Sequence, residues 1–343
     1  MSFRIDENVD LAKWHTFGVK ASARYFTHIR DANDLKELQQ SDIFREHRTL
    51  LLGGGSNVLF LHDFDGLVIH MSLGGIAVDE ENDRHVMVTA GAGVIWHDLV
   101  RYCVDHGYGG IENLTLIPGT VGAAPIQNIG AYGTELASVF DHLEAFELET
   151  GRFRTFRKTD CRFGYRDSFF KHEGRGRFLV TSVTLKLSGQ PKLNLSYGAI
   201  RETMKEMGLN PEEASISDVS HVVETIRRSK LPDPNKIGNS GSFFKNPVIP
   251  EAQYQKLSTK FDNIPGYKAG DGYIKVPAGW LIEQCGFKGK RFGNVGVYDR
   301  QALVLMNYGG ATGREVFELS ERIQDEVMHK FGIQLEHEVN IVV

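Results

Sequence analysis

The chain has 343 residues, of which 41% are hydrophobic and 24% are charged, and this length favours two or three globular domains. A formal net charge of −5 argues against general binding to nucleic acid or to an anionic membrane surface. The three cysteines lie far apart and no histidine pair has the spacing of metal ligands, so we expect neither a disulfide framework nor a metal site. Because the sequence shows no signal peptide and no run of about 18 apolar residues, we expect a soluble, cytoplasmic protein.

The first part of the chain combines two predicted strands with a helix. A short β-like run predicts a strand over 23–29, and Asp31 is the expected N-cap of a helix over 31–40. A buried strand over 49–52 then leads straight into three glycines and two small polar residues, residues 53–57 (GGGSN). Exposed N–H groups, a hydroxyl and an amide in one loop can hold a phosphate, although this is neither a Walker A loop nor the Rossmann fingerprint. A plain hairpin turn explains the glycine triplet equally well.

Short β-like runs dominate the middle of the chain. They lie at 67–71, 86–90, 143–148 and 178–187, and one amphipathic helix near 95–106 interrupts them. This mixture predicts an α+β domain.

Residues 117–133 (IPGTVGAAPIQNIGAYG) lie within that domain and hold four glycines and two prolines but no charge. A solvated loop would be polar, and a helix would not tolerate so much glycine and proline, so the stretch predicts a buried, tightly bent backbone. Glycines let backbone N–H groups approach an anion, and the amides of Gln127 and Asn128 can hydrogen-bond a flat heterocycle. The alternative is a tight turn packed in a core.

The last third begins at a helix predicted over 216–229. This helix ends in basic residues, and the Leu-Pro-Asp-Pro sequence after Lys230 breaks it, which is a natural domain boundary. The remainder predicts helices near 251–260, 277–285 and 313–330, and strands at 303–306 and 333–343.

Three other stretches hold candidates for chemistry. Ser242 precedes two phenylalanines in a glycine-rich segment. A hydroxyl that aromatic side chains shield from water can donate a proton if a cation or an amide orients it. A serine in a simple turn is the alternative. One of Arg162 and Arg166 is a candidate clamp for a carboxylate or phosphate, unless both are surface charges. Glu336 and Glu338 alternate on an apolar strand, so they point to one face and are either exposed or buried beside a site.

Together these stretches resemble the UDP-N-acetylenolpyruvoylglucosamine reductases, flavoenzymes of bacterial peptidoglycan precursor synthesis. The resemblance follows the family's order through residues 14–18 (WHTFG), 53–57, 117–133, 163–168 (FGYRDS), 230–234 (KLPDP), 241–247 (GSFFKNP), 278–282 (AGWLI) and 335–339 (LEHEV). It implies an α+β chain with an FAD-binding fold of the vanillyl-alcohol-oxidase (PCMH) type plus a C-terminal α+β substrate-binding domain. It implies two FAD-binding subdomains. The first is 1–68, completed by the strand 332–343, and the second is 69–230. The implied substrate-binding domain is 231–331.

The resemblance also implies roles for single residues. Ser242 would be the proton donor, and Arg166 and Glu338 would bind and polarise the enolpyruvyl carboxylate of the substrate. The implied substrate contacts are Tyr197, Arg227, Lys230, Asn246 and Gln301. A tyrosine at the position of Tyr197 is typical of the longer form of the family. The implied contacts of a non-covalent FAD are Gly53, Gly54, Gly55, Ser56, Asn57, Pro118, Gly119, Thr120, Gly122, Ala123, Gln127, Asn128 and Gly133.

By the same resemblance, NADPH reduces FAD and leaves, and enolpyruvyl-UDP-N-acetylglucosamine then enters the same cleft. Hydride would pass from flavin N5 to C3 of the enolpyruvyl group, and Ser242 would protonate C2 to give UDP-N-acetylmuramate. We expect a monomer whose partners are this substrate and NADPH. Two alternatives remain open at this point: an FAD-dependent oxidase of the same fold that passes electrons to oxygen, and a non-catalytic module that binds a UDP-sugar or a nucleotide.

Overall fold

The structure, a computed structural model, describes residues 3–82 and 85–343 and divides into two compact units. The first unit contains Ala23–Gly55, Asp65–Ser229 and the N-terminal segment up to Val9; the second contains Asp10–Ser22, Ser56–Phe64 and Lys230–Val343. The division before Lys230 lies next to the domain boundary expected from the sequence. The finer division of the first 230 residues remains a prediction.

Strands and helices alternate irregularly along the chain. In chain order the strands are β1 Ile5–Asp10, β2 Ser22–Ile29, β3 Thr49–Leu52, β4 Val58–Phe60, β5 Phe64–Met71, β6 Ile76–Glu81, β7 Val86–Gly91, β8 Gly130–Ala131, β9 Thr134–Glu135, β10 Phe140–Glu147, β11 Arg152–Arg157, β12 Phe178–Leu187, β13 Gly238–Ser242, β14 Val248–Pro250, β15 Tyr267–Lys268, β16 Tyr273–Lys275, β17 Arg291–Phe292, β18 Val295–Val297, β19 Val304–Asn307 and β20 Asn340–Val342. The helices are α1 Ala32–Gln40, α2 Asp42–Glu46, α3 Trp96–Asp105, α4 Lys158–Cys161, α5 Gly198–Glu206, α6 Ile216–Lys230, α7 Glu251–Ser258, α8 Ala278–Gln284 and α9 Gly313–Phe331.

The first unit is organised around sheets with the strand orders β1-β2-β5-β3 and β11-β10-β12-β7-β6. Strand β12 lies in the middle of the latter and pairs antiparallel with β10 and with β7. Helix α3 buries one apolar face, including Trp96, whose Nε1 donates a hydrogen bond of 3.0 Å to the carbonyl of Leu114. Burial also raises the pKa of the Cys103 thiol on this face to about 12, so the thiol acts as a packing group and not as a nucleophile.

The second unit is organised around the long helix α9. Its N-cap Thr312 and Glu315 form a capping box, and Gly332, at φ +63°, ends it in the left-handed conformation that favours glycine. Its apolar stripe packs in the unit's core beside sheets of order β13-β19-β18-β17 and β14-β16-β15. Strand β20 pairs in parallel with β4, so the end of the chain joins residues 58–60 from its beginning.

Most sequence-predicted elements are confirmed within a few residues, and the last predicted strand needs correction. Instead of one strand over 333–343, regular pairing is restricted to β20, and the part before it makes an isolated bridge between His337 and Phe244. The reason is a change of partner. Backbone bonds first link Glu336 and Glu338 to the segment after Ser242, and Asn340 then bonds to Asn57 at the start of the pairing with β4. Several other elements, among them β1, β6, β11 and α5, were not predicted.

We expect Gly313→Ala to destabilise the protein, because a Cβ built on this first residue of α9 would lie only 1.7 Å from the carbonyl oxygen of Phe60. The backbone must shift to relieve that overlap, which lowers the free energy of unfolding by roughly 1–3 kcal/mol or more. Urea unfolding measures the change. The matched control is Gly198→Ala at the first residue of α5, where a Cβ meets nothing within 4 Å. Equal stability of the two variants would contradict the assigned contact.

Candidate active site

The two glycine-rich stretches of the first unit lie against each other. A Cβ on Gly53 would approach Thr120 Oγ1 to 2.6 Å, and a Cβ on Gly54 would approach Gly119 Cα to 3.0 Å. Gly55 and Gly119 have φ of +60° and +108°, which side chains rarely adopt. Absent side chains therefore allow the loop after β3 and the loop before Val121 to meet almost backbone to backbone. The structure thus brings together two segments that the sequence analysis had predicted separately.

The hydroxyl of Thr120 lies at this meeting point. It is buried, and within residues 3–82 and 85–343 it has no hydrogen-bond partner. Thr120 precedes the 3₁₀ helix Val121–Gln127, to which its side chain makes no capping bond. A buried hydroxyl without a partner costs free energy that a bound ligand can recover.

The backbone N–H groups of residues 121–123 are already hydrogen-bonded within the protein. Those of Val121, Gly122 and Ala123 donate to the carbonyls of Val94, Ala92 and Thr120. Gly122 also has no room for a side chain, because a Cβ there would lie 2.5 Å from the Cβ of Ala92. Gly122 and Ala123 can therefore shape a ligand site but do not offer their N–H groups to it.

The second half of the long stretch is held by Asn128 and Arg166. Asn128, at φ +44°, donates from Nδ2 to Glu135 Oε2 and to the Gly164 carbonyl, both at 3.0 Å, and its Oδ1 accepts from the Ala137 N–H. Its amide is thus used within the protein, so we expect Asn128 to fix the loop. Arg166, at φ +53°, donates from Nη2 to the carbonyl of Gly130 at 2.7 Å.

Basic and aromatic side chains gather beside Arg166. The half-buried Arg227 projects from α6, and its Nε is shielded from solvent and has no hydrogen-bond partner in the part of the chain that the structure describes. Burial lowers the pKa of Arg227, and the charge of Arg166 lowers it further, whereas Tyr132 opposes this change. Tyr132 in turn stacks edge-on against Tyr197, with ring centroids 5.2 Å apart, and Tyr197 is 46% exposed. Two neighbouring guanidinium groups beside one exposed and one half-buried aromatic ring are suited to bind an anion.

The second unit brings Ser242 close to Glu338 along the backbone. Ser242 ends β13 after an irregularity in the pairing with β19, where Gly241 has φ +68°. The next residue, Phe243, is buried, and its carbonyl accepts the N–H of Glu338 at 2.8 Å. Ser242 therefore lies one residue from the bond that fixes Glu338. Glu336 does not share the half-buried environment of Glu338, because its side chain is 71% exposed and pairs with Lys245 at 3.1 Å.

The remaining predicted residues lie mainly around α8 and Glu338. Asn246 Oδ1 accepts the N–H of Ala278 at 2.9 Å, and Gln301 Oε1 accepts the N–H of Leu303 at 3.3 Å. The side chain of Asn57 donates to the carbonyl of Glu338 at 3.1 Å, so Asn57 supports Glu338 in the second unit. Lys230, the last residue of α6, is exposed.

Two residues beside predicted site residues, one in each unit, were missed at the sequence level. Tyr132 was passed over although it is an aromatic residue directly before Gly133, and the structure places it beside Arg227 and Tyr197. His337 was not singled out, and the structure pairs it with Phe244. Its sequence neighbours Glu336 and Glu338 were the available signal.

Two protein-family profiles match most of the chain. One, described as "FAD binding domain", matches residues 26–155, and the other, "UDP-N-acetylenolpyruvoylglucosamine reductase, C-terminal domain", matches residues 233–342.

Curated relatives match over nearly the whole length. The UDP-N-acetylenolpyruvoylglucosamine reductase of Amoebophilus asiaticus is 49% identical over 98% of this chain and 99% of its own. The reductase of the same name from Flavobacterium johnsoniae is 45% identical over 98% of this chain and 99% of its own. Among solved structures, the UDP-N-acetylenolpyruvylglucosamine reductase from Thermus caldophilus superposes with a TM-score of 0.71 and 25% identity over the full length of both chains. The α+β fold with an FAD-binding domain expected from the sequence is thereby confirmed.

The Thr120 hydroxyl gives the site a testable property. Thr120→Val replaces a buried hydroxyl without a partner by a methyl group, so we expect the flavin-free protein to gain about 1 kcal/mol in stability. Flavin affinity should fall roughly 10- to 100-fold, because a hydrogen bond to a charged ligand is lost. Urea unfolding and a flavin fluorescence titration measure the two effects.

The matched control is Thr115→Val. Thr115 is also buried, but its hydroxyl donates to the Glu112 carbonyl at 2.7 Å, so its loss should destabilise the protein. A Thr120→Val protein that is less stable and binds flavin as tightly as the parent would contradict the assignment.

Proposed function

The chain belongs to the UDP-N-acetylenolpyruvoylglucosamine reductase family, and from this premise we propose how its own residues carry out the family's reaction. It is an FAD-dependent oxidoreductase of peptidoglycan precursor synthesis that reduces enolpyruvyl-UDP-N-acetylglucosamine to UDP-N-acetylmuramate. We further propose that NADPH is the reductant and that the enzyme acts as a monomer in the cytoplasm. In the part of the chain that the structure describes, no helix is long and apolar enough to cross a membrane.

The residues of the first unit fit a flavin dinucleotide. The support is the close approach of the two glycine loops together with the buried, unpartnered hydroxyl of Thr120. We propose that Gly53, Gly54, Gly55, Pro118, Gly119 and Thr120 of this unit, with Ser56 and Asn57 that follow Gly55 in the chain, hold the FAD pyrophosphate region. Gly122 and Ala123 would supply space for it, and Gln127, Asn128 and Gly133 would shape the flavin side. When bound, FAD would supply the hydride-transfer chemistry between NADPH and the enolpyruvyl group.

Arg166 and Glu338 would bind and polarise the substrate carboxylate. Hydride addition at C3 leaves negative charge at C2 that delocalises into this carboxylate, and a guanidinium held in place stabilises such charge. Arg166 is suited to this because its bond to the Gly130 carbonyl restricts its side chain. Glu338 is suited because its backbone N–H donates to the Phe243 carbonyl and its own carbonyl accepts from Asn57 Nδ2, which together fix its backbone. Both groups would act without having to reorganise during the reaction.

Ser242 would then donate its hydroxyl proton to C2. The observation that carries this proposal is its place at the end of β13, next to the buried Phe243 and one residue from the bond that fixes Glu338. A donor positioned at the reacting carbon is worth far more than a solvent proton. The hydride and the proton together balance the reduction of the carbon–carbon double bond.

The UDP moiety would be held by the basic and aromatic cluster. We propose that Tyr197, Arg227 and Lys230 contact its phosphates and that Asn246 and Gln301 contact the rest of the substrate. We also propose that the chain works in three parts, with FAD-binding subdomains at 1–68, completed by 332–343, and at 69–230, and a substrate domain at 231–331.

Arg227→Met tests the phosphate contact. Removal of a largely desolvated cation should raise the KM for the UDP substrate roughly 30-fold or more, because a charge-assisted contact is lost. Steady-state kinetics with varied substrate measures this. The neighbouring Arg228→Met is the control, since the exposed Arg228 pairs with Glu224 at 2.6 Å. If the two variants raise KM equally, the assignment of Arg227 is wrong.

Ser242→Ala tests the proton donor. Flavin reduction by NADPH should proceed as in the parent, whereas reoxidation by the enolpyruvyl substrate should slow by roughly 10²–10⁴-fold, the range for a lost general acid. Anaerobic stopped-flow absorbance separates the two half-reactions. Ser240→Ala, two residues earlier on β13, removes a buried hydroxyl that has no partner in the described part of the chain, and should leave both rates unchanged. Equal slowing of both half-reactions by Ser242→Ala would instead mark Ser242 as structural.

A further inference from the structure

His337 lies where the segment after Ser242 pairs with the segment that carries Glu338. It precedes Glu338 in the chain and forms an antiparallel bridge with Phe244, which follows Phe243. Its ring centroid lies 5.4 Å from that of Phe243, 5.5 Å from that of Phe244 and 5.7 Å from that of Phe317 on α9. One imidazole thus packs against both residues that follow Ser242 and against the long helix.

The direction of the His337 hydrogen bond follows from its neighbour. His337 Nε2 lies 3.2 Å from the hydroxyl of Ser320 on α9, and Ser320 is completely buried. The Ser320 hydroxyl donates its own proton to the carbonyl of Phe317 at 2.6 Å, so its oxygen must accept from the imidazole. His337 therefore carries its proton on Nε2. Burial lowers the pKa of His337, which keeps the ring neutral near pH 7 and preserves this arrangement.

The backbone pairing at this place is short. Flanking the bridge are the bond from Glu338 N to the Phe243 carbonyl, at 2.8 Å, and the bond from Lys245 N to the Glu336 carbonyl, at 2.9 Å. A pairing of this length is marginal by itself and requires packing to hold its register. The imidazole supplies that packing, and its bond to Ser320 ties the pairing to α9, which spans Gly313–Phe331.

We propose that His337, anchored by Ser320, is a positioning residue that sets the distance between the Ser242 hydroxyl and the Glu338 carboxylate. The proposal rests on the proposed roles of Ser242 and Glu338 and adds what holds them in place. A displacement of about 1 Å between groups that act on one substrate can lower the rate roughly 10²-fold, so a rigid anchor next to both groups matters for the protonation step. NADPH oxidation does not use either group and should not depend on the anchor.

Four variants test the anchor. His337→Phe keeps an aromatic ring but lacks the N–H donor, and Ser320→Ala removes the acceptor. The double variant combines both changes. His337→Gln places an amide N–H near the position of Nε2 and serves as the conservative rescue. The control is Gln324→Ala, because Gln324, also on α9, donates to the carbonyl of Leu335 at 2.7 Å and so ties the same helix to the same segment.

Each protein is examined in the two anaerobic half-reactions and in urea unfolding. We expect His337→Phe and Ser320→Ala each to slow flavin reoxidation by the enolpyruvyl substrate roughly 10- to 100-fold, with flavin reduction by NADPH unchanged. The double variant should be no slower than the slower single variant, and its unfolding midpoint no lower, because both changes break one bond. His337→Gln should recover most of the rate, and Gln324→Ala should react as the parent does.

Other results would overturn the proposal. Multiplying effects in the double variant, equal slowing of both half-reactions, or slowing by Gln324→Ala would show that His337 only packs the core. If His337→Phe fails to fold, Ser320→Ala and His337→Gln decide the matter, since parental reoxidation by Ser320→Ala excludes the anchor. Ser242→Ala is measured in parallel. If Ser242→Ala reoxidises at the parental rate, the proposed function of Ser242 fails. If Ser242→Ala is slow while the His337 and Ser320 variants react as the parent does, only the anchor is wrong.

Discussion

The backbone bonds between residues 243–245 and 336–338 are the constraint on which the second unit depends. They join the segment after Ser242 to the segment around Glu338, two stretches that lie almost a hundred residues apart in the chain. They also interrupt the C-terminal strand, which then changes partner and pairs with β4. The same short pairing therefore places two candidate catalytic groups and returns the end of the chain to its beginning.

The first unit follows a different rule, in which the absence of side chains creates the site. Gly53 and Gly54 allow two loops to meet, and the place where they meet encloses a hydroxyl that nothing in the described protein satisfies. Nearby, Arg227 is kept in a desolvated setting beside a second arginine, which disfavours its charge. Both features oppose stability in the protein alone, and both become favourable once an anionic ligand is bound.

The sequence could predict those parts of the fold that depend on local pattern. The alternation of buried and exposed residues lies within β12 itself. The capping residues Asp31 and Thr312 directly precede the helices they start. Such elements are predictable, or easily explained, because their signal is local. Two-residue strands such as β8 are too short to show a period. The candidate site residues could be predicted from sequence motifs, but the contacts among them could not. The bond between Ser320 and His337 links a helix to an irregular segment, and no pattern in either one indicates the other.

Reduction of the enolpyruvyl group through a bound flavin is the activity on which every assigned role depends. The most direct measurement is anaerobic: the purified protein is bleached with one equivalent of NADPH, enolpyruvyl-UDP-N-acetylglucosamine is added, and the flavin spectrum and the product mass are recorded. We expect the oxidised spectrum to return and UDP-N-acetylmuramate to form in equal amount. A flavin that bleaches and then stays reduced in the presence of this substrate would contradict it.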